Sequence, residues 1–218
     1  MGGFGLLEYL QSDPLVFVLL TVGLIEAIAL HEYAHALAAD LQGDRLPRAL
    51  GRLTLNPIKH LDPLGTILLF LAGFGWGKPV EFRREALSSQ RFGAALVALA
   101  GPFMNLLLAV LAALSLSLLC NVGSVSVTCT GGDVVIGFLE IFFGLNVLLA
   151  VFNLLPLPPL DGSRLLTIFL PPNKQNIIFF LDRYGLLILL ALVFFGGFTI
   201  LVPLIEFFRD LILDLVGF

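Results

Sequence analysis

Residues 14–39, PLVFVLLTVGLIEAIALHEYAHALAA, are apolar for long enough to cross a bilayer, yet they carry His31, Glu32 and His35. About 26 helical residues at 1.5 Å each exceed the ~30 Å of hydrocarbon. The start is well marked, because Ser12 or Asp13 can cap the helix and Pro14 suits its first turn. Gly43 is the expected stop. Ionisable groups in such a span cost roughly 2.5–3.5 kcal/mol each, so they need partners. The H-E-x-x-H spacing suggests one. His31 and His35 stand one turn apart on the same helix face, where both imidazoles can reach one metal ion. Glu32, about 100° round the helix, can sit beside a water on that metal and take its proton.

The rest of the chain fits a membrane setting. Of 218 residues, 58% are hydrophobic and only 13% charged, against about a quarter charged in soluble domains. No segment is long and polar enough for an appended soluble domain, so residues 1–218 read as one membrane-embedded unit. Its catalytic core is expected at about 14–170. The net charge of −4 points to no nucleic-acid partner. Residues 1–13 contain no Lys or Arg, so a secretory signal with a basic front end is not expected. Cys120 and Cys129 are too few for a disulfide framework. They flank an external loop and can pair in an oxidising compartment.

The expected fold is an all-α polytopic helical bundle. It has four full spans, a membrane-dipping half-helix and small β-hairpin or strand elements on the cytoplasmic side. The spans are 14–39, 92–119 (kinked at Gly101-Pro102), 134–155 and 184–205. Residues 44–60 are expected to form strands or a hairpin at the membrane surface. Residues 62–74 begin with a cap and a proline but reach only ~18 Å as a helix of about 12 residues, which suits a dip. A short strand is expected at Lys78–Arg83, and a short helix at 163–170 after Pro156, Pro158 and Pro159.

Charge sets the orientation. Segment 40–91 carries eight Lys/Arg, and the loop at 120–133 carries none. If 62–74 dips and returns, all eight lie on one side, the cytoplasm. The N-terminus is then external.

A catalytic zinc takes three protein ligands and leaves a fourth position for water. The chain has three histidines, so the third ligand is His60 or a carboxylate. Asp161, in NLLPLPPLDG (153–162), is the better candidate. It ends the third span on the side towards which His31 and His35 point. Prolines free the backbone there, and Gly162 permits a tight turn. A dication between ionised Glu32 and Asp161 sums to zero charge.

HEYAH in the first span, GPFMN at 101–105 and NLLPLPPLDG at 153–162 together resemble the three signatures of the site-2 proteases, intramembrane zinc metallopeptidases. GRLTLNPIKHLDPLGT (51–66) and GWGKPVEF (75–82) resemble the minimal prokaryotic members, without PDZ or CBS domains. The resemblance covers about 31–165. It implies one catalytic Zn2+ held by His31, His35 and Asp161, with Glu32 as base and then acid. Asn153 would help to hold the oxyanion. Gly101, Asn105, His60 and Asn56 become candidates for groups around the ligands or for positioning substrate. The implied substrates are single-span membrane proteins in the lipid bilayer of a prokaryotic cell, cut at a cytoplasm-facing site. Strand Lys78–Arg83 would hold the unwound substrate by edge pairing. Homo-oligomerisation is compatible with this reading.

Plainer readings stand beside these. Asp161 before Gly-Ser can cap a helix, Asn153 can bond carbonyls freed by Pro156, Asn105 can bridge spans, and His60 can be a surface group. Glu26 and Glu140 have no assigned role. A metal transporter, or a relative that binds clients without cutting them, would use the same ligands. A transporter has no need of Glu32.

Overall fold

The computed structural model describes residues 6–72, 75–121, 133–169 and 175–217. A short helix α1 (Leu7–Ser12) leads into α2 (Pro14–Leu41). The junction is the expected one: Pro14 opens α2, and Asp13 accepts from the Val16 amide at 3.1 Å. After α3 (Leu46–Ala49) comes α4 (Pro63–Ala72), whose ten residues reach only ~15 Å. Then follow α5 (Gln90–Asn121), α6 (Val134–Asn153), capped by Asp133, and α7 (Gly162–Phe169). The C-terminal pair is α8 (Gln175–Phe194) and α9 (Val202–Val216).

Among the described residues, three helices are long and apolar enough to cross a membrane: α2, residues Gln90–Cys120 of α5, and α6. They pack on one another, with α5 in the centre against α2, α6, α7 and α9. Small residues stand at many of the contacts. Ala27, Ala36 and Ala39 of α2 and Ala109, Ala112 and Ala113 of α5 are buried, which lets backbones approach closely. Bulk faces outward. Leu96, Phe103, Leu107, Leu111 and Leu118 are exposed at helical spacing along α5, as a helix in lipid requires. Helix α5 continues through Pro102, which is buried. Neighbouring helices cover the backbone there, so the proline does not end the helix.

Three expectations are corrected. First, the last span is not 184–205. Helix α8 starts before Asp182 and Arg183 and ends ahead of Gly196, which has φ +79°. A separate helix α9 follows and buries Ile212 against Ala112 and Phe143. Second, no hairpin forms at 44–60. That segment is α3, turns and a short 3-10 helix, Pro57–Lys59. Third, Lys78–Arg83 is not a strand. Among the described residues, the β-pairing is one isolated antiparallel bridge, Leu61 to Gly77. Lys78 is already engaged, donating its amide to His60 O at 2.7 Å and accepting at its carbonyl from Arg52.

Side chains hold this polar segment instead of strand ladders. Arg45 and Arg48 pair with Asp40 at the end of α2. Buried Asp44 takes the Leu46 amide, the Arg83 amide and the Arg83 guanidinium. Buried Arg52 bonds the carbonyls of Lys59 and Lys78. Cys120 is disulfide-bonded near the end of α5; Cys129 lies outside the described residues.

Candidate metal centre

His31, His35 and Asp161 meet. Asp161 Oδ2 lies 3.0 Å from His31 Nε2 and 3.2 Å from His35 Nε2, and the two Nε2 atoms are 3.0 Å apart. Both imidazoles are buried. The opposite ring nitrogens decide what these atoms are. His35 Nδ1 is 2.7 Å from the Val97 carbonyl of α5. A carbonyl only accepts, so Nδ1 carries a proton, and in the neutral imidazole Nε2 is left with the lone pair. His31 Nδ1 is 2.6 Å from Asn105 Oδ1, also an acceptor. In its neutral form this ring too keeps the lone pair on Nε2.

Two lone pairs and a carboxylate oxygen therefore converge on one point. All the charge density there is negative, and a cation relieves it. The donor set suits a catalytic zinc: three neutral-nitrogen and carboxylate ligands, with a fourth position open. The surroundings keep that position clear. Gly101 lies over the pair, and a Cβ on it would overlap Nε2 of both histidines. These three residues can hold the metal that the sequence implies.

Each ligand is brought here by local chain chemistry. The histidines share one face of α2. Asp161 comes from the turn after α6. A Cβ at Gly162 would overlap the carbonyls of Leu154 and Leu155, so glycine lets the chain fold back on itself. Asp161 starts α7 with its backbone carbonyl, which accepts from the Arg164 amide at 2.9 Å. Its carboxylate is left for the histidines.

Glu32 is buried beside them, and its Oε2 has no hydrogen-bond partner. A buried carboxylate oxygen without a protein donor is placed for something that is not protein, such as a water. Asn153 ends α6 and donates from Nδ2 to Leu149 O at 3.0 Å. Together with His31 it also lines a cavity of about 520 Å³. The walls are mostly apolar and include Leu69, Trp76, Leu145 and Phe152 of α6 and Leu189 of α8.

Other expected residues fall elsewhere. His60 is fully buried and outside the ligand cluster. Burial pushes its imidazole below the ordinary value, and Nε2 donates to Thr54 O at 2.8 Å. Asn56 is exposed and caps the 3-10 turn by accepting from the Ile58 amide at 3.1 Å. Asn105 bridges spans and also bonds a ligand. Glu26 and Glu140 sit on exposed helix faces. Sequence reasoning missed the Val97 carbonyl, which no side chain advertises, and Arg52, which is close enough to Glu32 to interact electrostatically. It also missed Asn146. The available signal was an amide in an apolar span, two turns before Asn153 on the same face.

Comparison with known proteins points to one family. The sequence model of Peptidase family M50 matches residues 19–195. The chain is 41% identical over 199 residues to the Bacillus subtilis protein named "Putative zinc metalloprotease YwhC", covering 90% of each. It is 32% identical to the Mycolicibacterium smegmatis protein named "Putative zinc metalloprotease Rip2", covering 87% of this chain and 74% of that one. The Mycobacterium tuberculosis protein of the same name is 34% identical over 81% of this chain and 67% of its own length. No solved structure matches.

Proposed function

Since the chain belongs to peptidase family M50 and is a zinc metalloprotease, we propose that it hydrolyses peptide bonds within or near the transmembrane segments of other membrane proteins. One observation carries this reading. The Nε2 atoms of His31 and His35, the Asp161 carboxylate and Glu32, whose Oε2 has no partner, converge beside an apolar cavity walled by membrane-length helices.

Bound between these ligands, zinc would acidify a water towards pKa ~7 and polarise a carbonyl. The residues do the rest. Apolar walls accept the side chains of a membrane segment, which must unwind to expose one peptide bond. Glu32 takes the proton of the attacking water and returns it to the leaving amine. Asn153, on the cavity wall, turns its amide from Leu149 O towards the oxyanion. Asn105 and the Val97 carbonyl keep both imidazoles facing inward.

Orientation belongs to the same reading. The basic segment tied to the end of α2 by Asp40 and Asp44 faces the cytoplasm of a prokaryotic cell, following the positive-inside rule. Helix α4 dips, and the fourth crossing falls to α8.

The test is Glu32→Gln in purified protein. Zinc content should stay at the wild-type level, and cleavage of a single-span reporter in proteoliposomes should fall below detection. Continued cleavage discards Glu32 as the base and this mechanism with it.

A further inference from the structure

His31 is oriented by Asn105, and Asn105 is itself oriented. Its Nδ2 donates to Asn146 Oδ1 at 2.8 Å and to Ala27 O at 3.3 Å. Asn146 in turn donates from Nδ2 to Phe142 O at 2.8 Å. Both asparagines are fully buried, at 0% exposure, among apolar helices. The direction of this chain is set at its far end. Phe142 O is a backbone carbonyl, so the amide nitrogen of Asn146 must face it. That turns Asn146 Oδ1 towards α5. There it claims the Asn105 amide nitrogen, with help from the Ala27 carbonyl. Asn105 Oδ1 is then the atom left for His31.

We infer that Asn146 is a positioning residue for the metal site. Acting through Asn105, it fixes the His31 tautomer that keeps the proton on Nδ1 and offers Nε2 to the zinc. The physical reason is the setting. In water, an imidazole can borrow any donor or acceptor. In a dry helix interface, one reversed amide would leave two donors facing each other, at a cost of about 1–3 kcal/mol for an unpaired buried group. Three helices are locked into this register, because the chain runs from α6 through α5 to α2. A sequence reader would take Asn146 for ordinary glue between spans. Its bond to the amide that holds a ligand assigns it more.

The inference rests on the zinc reading of the site, and its test does not use cleavage. Zinc affinity of the purified full-length chain is measured by chelator competition for wild type, Asn105→Ala, Asn146→Leu and the double variant, alongside thermal unfolding. Loss of such an outer partner typically weakens metal binding 10- to 100-fold, and that range is expected for Asn146→Leu. Because Asn146 acts through Asn105, the double variant should bind within about two-fold of Asn105→Ala alone. If Asn146→Leu does not fold, Asn146→Ala takes its place in the same cycle. Wild-type affinity in the Asn146 variant, with only a lower unfolding temperature, makes it packing and overturns the proposal. So do losses that multiply in the double variant. A wild-type protein that binds no zinc would sink the functional reading instead.

Discussion

The interior of the three-helix core and the polar belt at residues 40–91 solve the same problem with different chemistry. In the core, polar groups are joined one to one by neutral amides and a carbonyl: Asn146 to Asn105 to His31, and Val97 to His35. In the belt, full charges are joined to one another and to the backbone: Asp40 to Arg45 and Arg48, Asp44 to Arg83, Arg52 to two carbonyls. Free charge is costly in hydrocarbon and nearly free at a wet surface. The core therefore gathers its buried carboxyl groups, Glu32 and Asp161, at the one point where a dication would offset their charge. The belt spreads its charges to fasten a segment that has no sheet to hold it.

The contrast is broken most severely at Gly101. Gly101→Ala replaces no ligand and improves helix propensity, yet its Cβ would overlap both Nε2 atoms. Zinc content measured by metal analysis should drop by at least ten-fold, and reporter cleavage by roughly a hundred-fold or more. Gly144→Ala is the control, since a Cβ there meets nothing within 4 Å, and it should leave both unchanged. Equal behaviour of the two variants would mean that the space above the histidines is not needed.

How much was legible follows the same division. The core announced itself, because His31, Glu32, His35 and Asp161 are expensive residues in apolar surroundings and only a shared metal explains them together. The helix starts at Asp13-Pro14 and Asp62-Pro63 were equally plain, since cap and proline act locally. The belt was not legible. The mix of basic residues with Leu, Pro and Gly at 44–60 suggests strands or a hairpin, but the fold there depends on Asp44 finding Arg83 and Arg52 finding Lys78, far along the chain. The end of the third crossing was readable from its prolines. The boundary of α8 was misread because Asp182 and Arg183 look like a flank, whereas they lie exposed within the helix. An apolar span also hides which face turns inward. Asn146 was passed over for that reason.

An intermediate effect is expected at Asp44. Burial alone would raise its carboxyl, but the Arg83 and Leu46 amides and the Arg83 guanidinium outweigh it and hold the carboxyl below its usual value. A depressed acid stabilises the fold above its unfolded-state pKa of ~3.9 and loses that contribution as pH falls through the folded-state value. Asp44→Asn should cost about 2 kcal/mol at neutral pH, the scale of a lost hydrogen bond to a charged group. Its deficit in detergent unfolding should shrink as pH falls from about 4, where the unfolded chain protonates, towards the lower folded-state value, where the wild-type carboxylate is lost as well. Zinc should remain bound. A deficit that does not change with pH would mean that Asp44 works by shape alone.

The smallest effect is expected at Asn56, which shares the belt but carries no charge. Its side chain accepts one amide, from Ile58, at an exposed 3-10 turn. Asn56→Ala removes a cap worth about 0.5–1 kcal/mol, partly replaced by water because the site is exposed. Unfolding should move by a degree or two, and zinc affinity and cleavage should stay within two-fold of wild type. That near-silence sharpens the contrast, because Asn56 and Asn105 are the same residue type, each accepting one hydrogen bond through Oδ1. One faces water and a turn; the other faces His31 in a dry interface. A loss of zinc in Asn56→Ala comparable to that in Asn105→Ala would show that the belt reaches the metal after all, and the division between the two regions would have to be given up.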